Sequence, residues 1–299
     1  CWGIEEFGTE AQKQKYLTKL ATGEWIGSFC LSEPEAGSDA TSQRTTAVDM
    51  GDHYIVNGTK NWITNGGTSD VHLVIAQTDP EKGHRGINVL IVESSWEGVT
   101  IGAKEDKLGI RSSDTHTIMY NDVKVPKENR IGEDGFGFKF AMKTLAGGRI
   151  GIAAQALGIA GGSYELALAY SAEREAFGKP INRHQAIAFK LAQMATDVEA
   201  AKLMVYRAAY LKDQGMDYNN ASAMAKLYAS EVAMKHSVEA VQVHGGYGFV
   251  KEYHVERLMR DAKITQIYEG TSEVQQIVIS RTITSGKPYL PVAKEMQHA

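Results

Sequence analysis

Cysteine is scarce in this chain. Only Cys1 and Cys30 occur among 299 residues, and they do not form a C-x-x-C pair. Neither a disulfide framework nor a zinc ribbon can be built from these two side chains, so the sequence predicts no metal site. The low cysteine content suits a reducing compartment. We therefore expect a bacterial-type cytoplasmic chain, or a protein of the mitochondrial matrix if the source is eukaryotic.

Long apolar runs and long runs of positive charge are missing as well. No stretch of about eighteen apolar residues occurs, and the N-terminus has neither the basic start nor the apolar core of an export signal, so membrane insertion is not predicted. The net charge of −4 and the absence of a long lysine and arginine run argue against nucleic acid as a partner. Because the chain begins at Cys1 rather than at a methionine, we expect a fragment of a longer protein.

Several familiar catalytic motifs are absent. No G-x-G-x-x-G follows a predicted strand and no G-x-x-x-x-G-K-[ST] occurs, which excludes a Rossmann or P-loop nucleotide fold. H-E-x-x-H and G-x-S-x-G are missing too, so a zinc protease and an α/β-hydrolase have no support.

The first half of the chain has the sequence pattern of a β-sheet. A capped amphipathic helix is predicted over residues 9–22, with Ala11, Tyr16, Leu17 and Leu20 on its apolar face. Short β-branched or aromatic runs then follow at 45–48, 54–56, 62–64, 72–76, 87–92 and 115–120. Asn57-Gly58 predicts a tight turn between two of them. No long helix separates these runs, so the spacing favours an antiparallel sheet or barrel of about a hundred residues over a βαβ fold.

The second half has the sequence pattern of a helical bundle. Apolar residues recur three and four apart over 138–175, 185–212, 221–243 and 255–281. The last of these runs breaks at a glycine. Ser272 and Gln275 have the S-x-x-Q spacing of a capping box, which predicts that they start the final helix.

Glu269 lies in this break between helices. On its own it has two interpretations, a catalytic base or a solvated loop carboxylate, and the second is the commoner case for glutamate. Three other clusters are also ambiguous. Residues 29–39 can offer hydroxyl and backbone donors or form an ordinary turn, residues 61–67 hold a tryptophan that can flank a flat cofactor or fill a core, and residues 244–248 allow close backbone approach or cap a helix.

Taken together, these clusters are specific to one protein family. Their order and context resemble the acyl-CoA dehydrogenase family, from about Trp2 to Thr284, and the strings 258–263 and 267–273 are most like its short-chain, butyryl-CoA-type members. The resemblance implies an α+β fold, with a central antiparallel β-barrel-like domain followed by a four-helix-bundle domain. It also implies that most of the N-terminal helical domain is lacking. We accordingly predict a remnant of that domain at 1–24, a middle β-domain at 25–127 and a C-terminal helical domain at 128–299.

The resemblance implies a flavoprotein with non-covalent FAD. Phe29, Leu31, Ser32 and Ser38 would line the flavin, its phosphates or the near end of the substrate, and Trp62, Ile63 and Thr64 would flank the isoalloxazine ring. The residues that would meet the FAD of a neighbouring subunit are Arg174, Phe177, Gln185, Gln242, Gly245 and Gly246. Thr271 and Glu273 would contact the adenosine half of FAD from the loop that carries Glu269. Sharing a cofactor between subunits implies a homo-oligomer, usually a tetramer built as a dimer of dimers.

The implied reaction is the 2,3-desaturation of a short-chain acyl-CoA in fatty acid β-oxidation, with electron-transfer flavoprotein as the acceptor. Glu269 would remove the proton next to the thioester carbonyl, and its backbone N–H and a flavin hydroxyl would stabilise the enolate. Gly270 would let substrate pass close to the loop, and Arg149 would lie near CoA. Relatives that carry the base on the earlier helix have it where this chain has Gly148, and Ala146 replaces a CoA-binding aspartate found in many relatives.

Two alternatives remain open at this point. An acyl-CoA oxidase shares the fold and is reoxidised by oxygen. A flavin-binding structural subunit without dehydrogenase activity is the alternative from another class, and the presence of Glu269 disfavours it.

Overall fold

The structure is a computed structural model that describes residues 1–285. The described residues form two compact units. The first comprises residues 1–107 and 111–144, and the second comprises residues 108–110 and the part that starts at Leu145. The predicted boundaries after residues 24 and 127 stay a prediction.

A seven-stranded sheet is the main element of the first unit. Its strands are β1 (Gly27–Cys30), β2 (Thr46–Asp49), β3 (His53–Thr64), β4 (Val71–Gln77), β5 (Ile87–Glu93), β6 (Val99–Lys104) and β7 (Thr115–Pro126). The order is β1-β4-β2-β3-β7-β6, and β5 pairs with β4. Most neighbours are antiparallel, but β1 and β4 are parallel, and β2 meets β4 in parallel at Thr46 and Gln77. The core of this unit consists of alternate strand residues such as Val56, Val74 and Val125, which are fully buried.

The predicted turn at Asn57-Gly58 is wrong. Both residues lie inside the twelve-residue strand β3, at a register shift opposite β7. The Asn57 side chain donates to Asp122 Oδ1 at 2.9 Å and accepts from the Asp122 backbone N at 2.8 Å. A side chain at Gly58 would come within 2.4 Å of Thr45 Oγ1. The glycine therefore serves close packing at a β-bulge rather than a hairpin turn.

The predicted helix over residues 9–22 is confirmed. After helix α1 (Trp2–Phe7), the chain is helical without a gap through α2 (Glu10–Gln12), a π-helical segment at Lys13–Leu17 and α3 (Thr18–Thr22). Thr9 caps α2 in a capping box with Gln12, as the sequence predicts for this start. Ala11 is exposed, contrary to the predicted apolar face. Gln12 is buried instead, because its amide donates to the carbonyls of Glu128 and Arg130.

The second unit contains the long helices. They are α4 (Gly137–Glu173), which begins in the first unit, α5 (Gln185–Asp213), α6 (Asn219–His244), α7 (Val255–Thr265) and α8 (Ser272–Thr284). A two-strand hairpin, β8 (Glu175–Ala176) with β9 (Lys179–Pro180), separates α4 from α5. Fully buried alanines such as Ala153, Ala201 and Ala229 make up much of the core of this unit. Among helices within residues 1–285, none has the length and apolar content needed to cross a bilayer.

The predicted fold class is confirmed by the mixed sheet and the bundle of long helices that follows it in the chain, with the two parallel pairings as the one departure from an antiparallel sheet.

Candidate functional site

The loop between α7 and α8 has an unusual backbone. Glu269 has φ of 55° and Gly270 has φ of 90°, so two successive residues adopt the left-handed conformation. Glycine does this freely, whereas a glutamate pays about 1–3 kcal/mol in strain. Such a conformation persists only where the surroundings enforce it, and it is concentrated at functional sites.

The loop ends at a helix cap one residue earlier than predicted. Thr271 is the N-cap of α8, and its Oγ1 accepts a hydrogen bond from Val274 N at 3.3 Å. The predicted capping box of Ser272 with Gln275 is therefore wrong. Ser272 instead donates to Glu231 Oε1 at 3.0 Å, and Gln275 points back under the loop.

The Glu269 carboxylate lies in a dry environment. Its Oε2 atom is inaccessible to solvent and has no hydrogen-bond partner among residues 1–285. Removal from water raises the pKa of Glu269 to about 7, although the positive charges of Arg149 and Lys226 oppose the shift. A carboxyl group with a pKa near neutrality can accept a proton efficiently at physiological pH.

Helix α4 leaves room for this carboxylate at Gly148. A Cβ atom at Gly148 would lie 2.6 Å from Glu269 Oε2 and 2.9 Å from its Cδ. From the sequence, Gly148 signified only that no second base is present. The structure adds that the missing side chain is the space into which Glu269 extends.

Arg149 follows directly on the same helix. Its side chain is buried, with 5% of its surface exposed, and Nη1 donates to Asn219 Oδ1 at 2.9 Å. Its buried Nε has no partner within the described part of the chain. Ala146, which replaces the aspartate of many relatives, is also buried.

Two functional candidates were missed in the sequence. Lys226 of α6 donates from Nζ to the Gly270 carbonyl at 2.7 Å, and Gln275 of α8 donates from Nε2 to the carbonyls of Gly270 at 2.8 Å and Glu269 at 3.1 Å. A signal for Lys226 was available. It stands between Ala223 and Ala229 on the small-residue face of α6, where a charged residue needs an explanation. For Gln275, the S-x-x-Q pattern predicts a capping role with Ser272 that the structure does not show, since Thr271 is the N-cap.

A second group of predicted residues lines a separate cavity of the helical unit. Arg174, Gly245 and Gly246 border a space of about 790 Å³, together with the rings of Tyr170, His244 and Tyr247. Arg174 lies over the Tyr247 ring at 5.7 Å. A Cβ atom at either glycine would meet nothing within 4 Å, so bare backbone faces open space. A cation, flat aromatic rings and accessible backbone suit a nucleotide with its phosphates.

The remaining predicted residues of this unit are exposed. Phe177 lies in the β8–β9 hairpin with φ of 52° and 96% of its surface exposed, and its ring meets the edge of His184 at 6.0 Å. Gln185 is the first residue of α5, and Gln242 is on the last turn of α6, where its carbonyl accepts from Gly245 N.

The predicted residues of the first unit gather where β3 meets the loop after β1. The Asn61 backbone N donates to the Ser32 carbonyl at 2.8 Å. Trp62 has φ of 62° at a second register shift of β3, and its side chain is 61% exposed. Ile63, by contrast, lies in the hydrophobic core, so only its backbone is available to a ligand. Phe29 is half-buried and Leu31 buried, whereas Ser38 and Thr64 are exposed.

Beneath this junction lies a buried ion pair. Lys60 Nζ donates to Glu33 Oε1 at 2.7 Å, to Gln43 Oε1 at 2.5 Å and to the Leu31 carbonyl at 3.1 Å. Glu33 also accepts from the backbone N of Arg44 and of Thr45. These contacts join the loop after β1 to strand β3.

The chain is similar to known proteins over most of its length. Residues 28–123 match the family profile "Acyl-CoA dehydrogenase, middle domain", and residues 135–284 match "Acyl-CoA dehydrogenase, C-terminal domain". The short-chain specific acyl-CoA dehydrogenase of Clostridium acetobutylicum is 54% identical over 94% of this chain and 74% of that protein. Subunit CarC of the caffeyl-CoA reductase-Etf complex of Acetobacterium woodii is 52% identical over 91% of this chain and 72% of that protein.

A solved structure agrees with these relatives. Butyryl-CoA dehydrogenase from Megasphaera elsdenii has a TM-score of 0.93 and 52% identity, covering 94% of this chain and 74% of that chain. The predicted resemblance is therefore confirmed, and the chain belongs to the acyl-CoA dehydrogenase family of flavin-dependent oxidoreductases.

Proposed function

We propose that this chain catalyses the FAD-dependent 2,3-desaturation of a short-chain acyl-CoA to the trans-2-enoyl-CoA, with Glu269 as the base. The observation that carries the proposal is the Glu269 carboxylate, which is withdrawn from water, faces Gly148 and has a pKa of about 7. The names of the relatives from Clostridium acetobutylicum and Megasphaera elsdenii support the short-chain substrate.

Glu269 has two tasks in this reaction. Its carboxylate removes the proton from the carbon next to the thioester carbonyl, and its backbone N–H donates to the carbonyl oxygen as negative charge develops there. The left-handed conformation of Glu269 sets the relative orientation of its side chain and its N–H. Gly270, which has no side chain, lets the thioester approach the loop closely.

The residues present fit FAD in their donor chemistry. In the helical unit, Arg174, Gly245 and Gly246 supply a cation and open backbone for a diphosphate. The exposed residues Phe177, Gln185 and Gln242 would add further contacts. In the first unit, the exposed Trp62 offers a flat surface. The other predicted residues lie next to it on β3, which carries Ile63 and Thr64, or on β1 and the loop after it, which carry Phe29, Leu31 and Ser32. Thr271 and Glu273 would contact the adenosine half. Bound FAD would supply the hydride acceptor that the reaction needs.

Substrate contacts and partners complete the proposal. Ser38 and Arg149 would contact the thioester or CoA, with Arg149 also keeping positive charge next to Glu269. An electron-transfer flavoprotein would accept the electrons, as the Etf complex in the name of the Acetobacterium woodii relative suggests. We also propose a homotetramer and a cytoplasmic location, or a matrix location in a eukaryote.

Anaerobic titration with acyl-CoAs of increasing length tests the proposal, with flavin bleaching as the readout. We expect bleaching by butyryl-CoA, weaker bleaching by longer thioesters, and none in a Glu269→Gln variant that retains its FAD. A peroxide assay with and without a dye acceptor separates the dehydrogenase from an oxidase. Full turnover of butyryl-CoA by Glu269→Gln would refute the mechanism.

A further inference from the structure

Two buried side chains converge on the peptide groups that follow Glu269. Lys226 reaches the Gly270 carbonyl from α6, and Gln275 reaches the carbonyls of both Glu269 and Gly270 from α8. Both side chains belong to fully buried residues. The two carbonyl oxygens are thus held by three hydrogen bonds from two helices.

These contacts explain how the loop keeps its conformation. Glu269 and Gly270 both have positive φ, and the carbonyls that follow would be costly to bury without donors. A strained loop of this kind relaxes when its fixing contacts are removed. Because the side chain and N–H of Glu269 share one Cα atom, relaxation would move both proposed catalytic groups together.

The charge of Lys226 adds a second effect. A neutral donor would satisfy the Gly270 carbonyl, and burying an ammonium group without an ion pair is unfavourable. Burial lowers the pKa of Lys226 to about 8, and Glu269 is the strongest of the charges that oppose this shift. The other charged groups that face Lys226 are Arg149, Glu231 and Glu273, and Arg149 also faces Glu269. Lys226 therefore contributes positive charge next to the loop from a residue with no exposed surface.

We propose that Lys226 and Gln275 are positioning residues for Glu269: both fix the loop through its carbonyls, and Lys226 in addition favours the ionised form of the base. The inference rests on the proposed function, since it assigns roles relative to Glu269 as the base. The two residues contribute differently to the state of Glu269. Gln275 affects only the position of Glu269, whereas Lys226 affects both its position and its ionisation.

The test compares Gln275→Met and Lys226→Met in the full chain loaded with FAD. Each removes the hydrogen bonds at nearly constant volume, but only Lys226→Met removes a charge. The rate of anaerobic flavin reduction by butyryl-CoA is followed by stopped-flow between about pH 5.5 and 9. Lys202→Met, which removes a partly exposed lysine paired with Glu199 on α5, is the matched control. Thermal unfolding and FAD content are measured for every variant.

We expect both variants to reduce flavin about 10- to 100-fold more slowly, as a displaced catalytic group would. The midpoint of the pH profile should stay in place in Gln275→Met and rise by about one unit in Lys226→Met. Wild-type rates in both folded variants would overturn the proposal, and an unmoved midpoint in a slow Lys226→Met would overturn the charge effect. If Lys226→Met fails to fold, Gln275→Met alone tests the positioning role. Slower flavin reduction with an unmoved midpoint of the pH profile supports that role, and flavin reduction at the wild-type rate overturns it.

Glu269→Gln separates this inference from the proposed function. If Glu269→Gln abolishes flavin reduction while both positioning variants behave as wild type, only the inference fails. If Glu269→Gln reduces flavin at the wild-type rate, the proposed function itself fails.

Discussion

At the scale of single residues, opposing influences set the properties of Glu269. Loss of water around Oε2 raises its pKa, and the nearby charges of Arg149 and Lys226 hold the rise to a value of about 7. Without these cations the pKa would be higher still, and a smaller fraction of the carboxyl would be ionised and able to act as a base at neutral pH. With full exposure it would be ionised but a weaker base than the reaction needs.

This balance predicts a pH dependence. The proposed base is active as the carboxylate, so the rate of flavin reduction should rise about tenfold per pH unit below pH 7 and level off above it. The sign follows from the raised pKa, because protonation removes the active form as the pH falls. Stopped-flow reduction at saturating substrate measures it. A profile that is flat across neutrality, or that falls with increasing pH, would contradict this role of Glu269.

Only part of the site could be predicted at this scale. The string around Glu269 points to the proposed base and to Gly270, because those residues are adjacent in sequence. Gly148, Lys226 and Gln275 come from three different helices, and their contacts exist only after the helices pack. A local pattern cannot reveal them, and the S-x-x-Q pattern gave Gln275 a wrong partner for this reason.

At the scale of elements, the buried Lys60–Glu33 ion pair connects the loop after β1 to strand β3. Both side chains are almost wholly buried, and Gln43 and the Leu31 carbonyl complete the contacts of Lys60. The loop carries Leu31 and Ser32, and the strand continues to Trp62. The pair therefore controls whether these predicted cofactor residues keep their relative positions.

Removing one member of this pair should be strongly destabilising. We expect Lys60→Met to lower the free energy of unfolding by about 3–5 kcal/mol, because it leaves the Glu33 carboxylate buried and unpaired. Lys60→Met combined with Glu33→Gln should recover much of the loss, and FAD affinity should fall most in the single variant. Urea unfolding and FAD titration of apoprotein give these quantities. Lys124→Met, at an exposed position of β7, is the control, and equal stability of Lys60→Met and wild type would refute the expectation.

The element scale also shows why strand runs were predicted better than turns. Short runs of β-branched and other apolar residues located β4 and β5 to within a residue at each end, because both faces of these strands are buried and their apolar character is nearly continuous. Asn57-Gly58 has the composition of a turn, but its conformation depends on Asp122 and Thr45, far away in sequence. Tertiary contacts outweighed the local preference there.

At the scale of the whole molecule, the helical unit exposes large aromatic side chains. Phe177, Phe189 and Phe249 are 96%, 67% and 86% exposed. Burying one such side chain contributes about 1.5–3 kcal/mol, so leaving several exposed is unfavourable for an isolated subunit. The proposed homotetramer accounts for them, since a neighbouring subunit would cover these rings.

We therefore predict that the wild-type protein sediments as a tetramer and that Phe249→Asp sediments as a smaller species. A carboxylate at a buried subunit interface loses its hydration without gaining a partner, which should weaken the interface by several kcal/mol. Sedimentation velocity over a range of concentrations measures the change. Met50→Asp, at an exposed apolar position of the sheet unit, should leave the tetramer intact. A wild-type protein that sediments as a monomer at all concentrations would refute the oligomer, and with it the sharing of Arg174 and Phe177 between neighbouring sites.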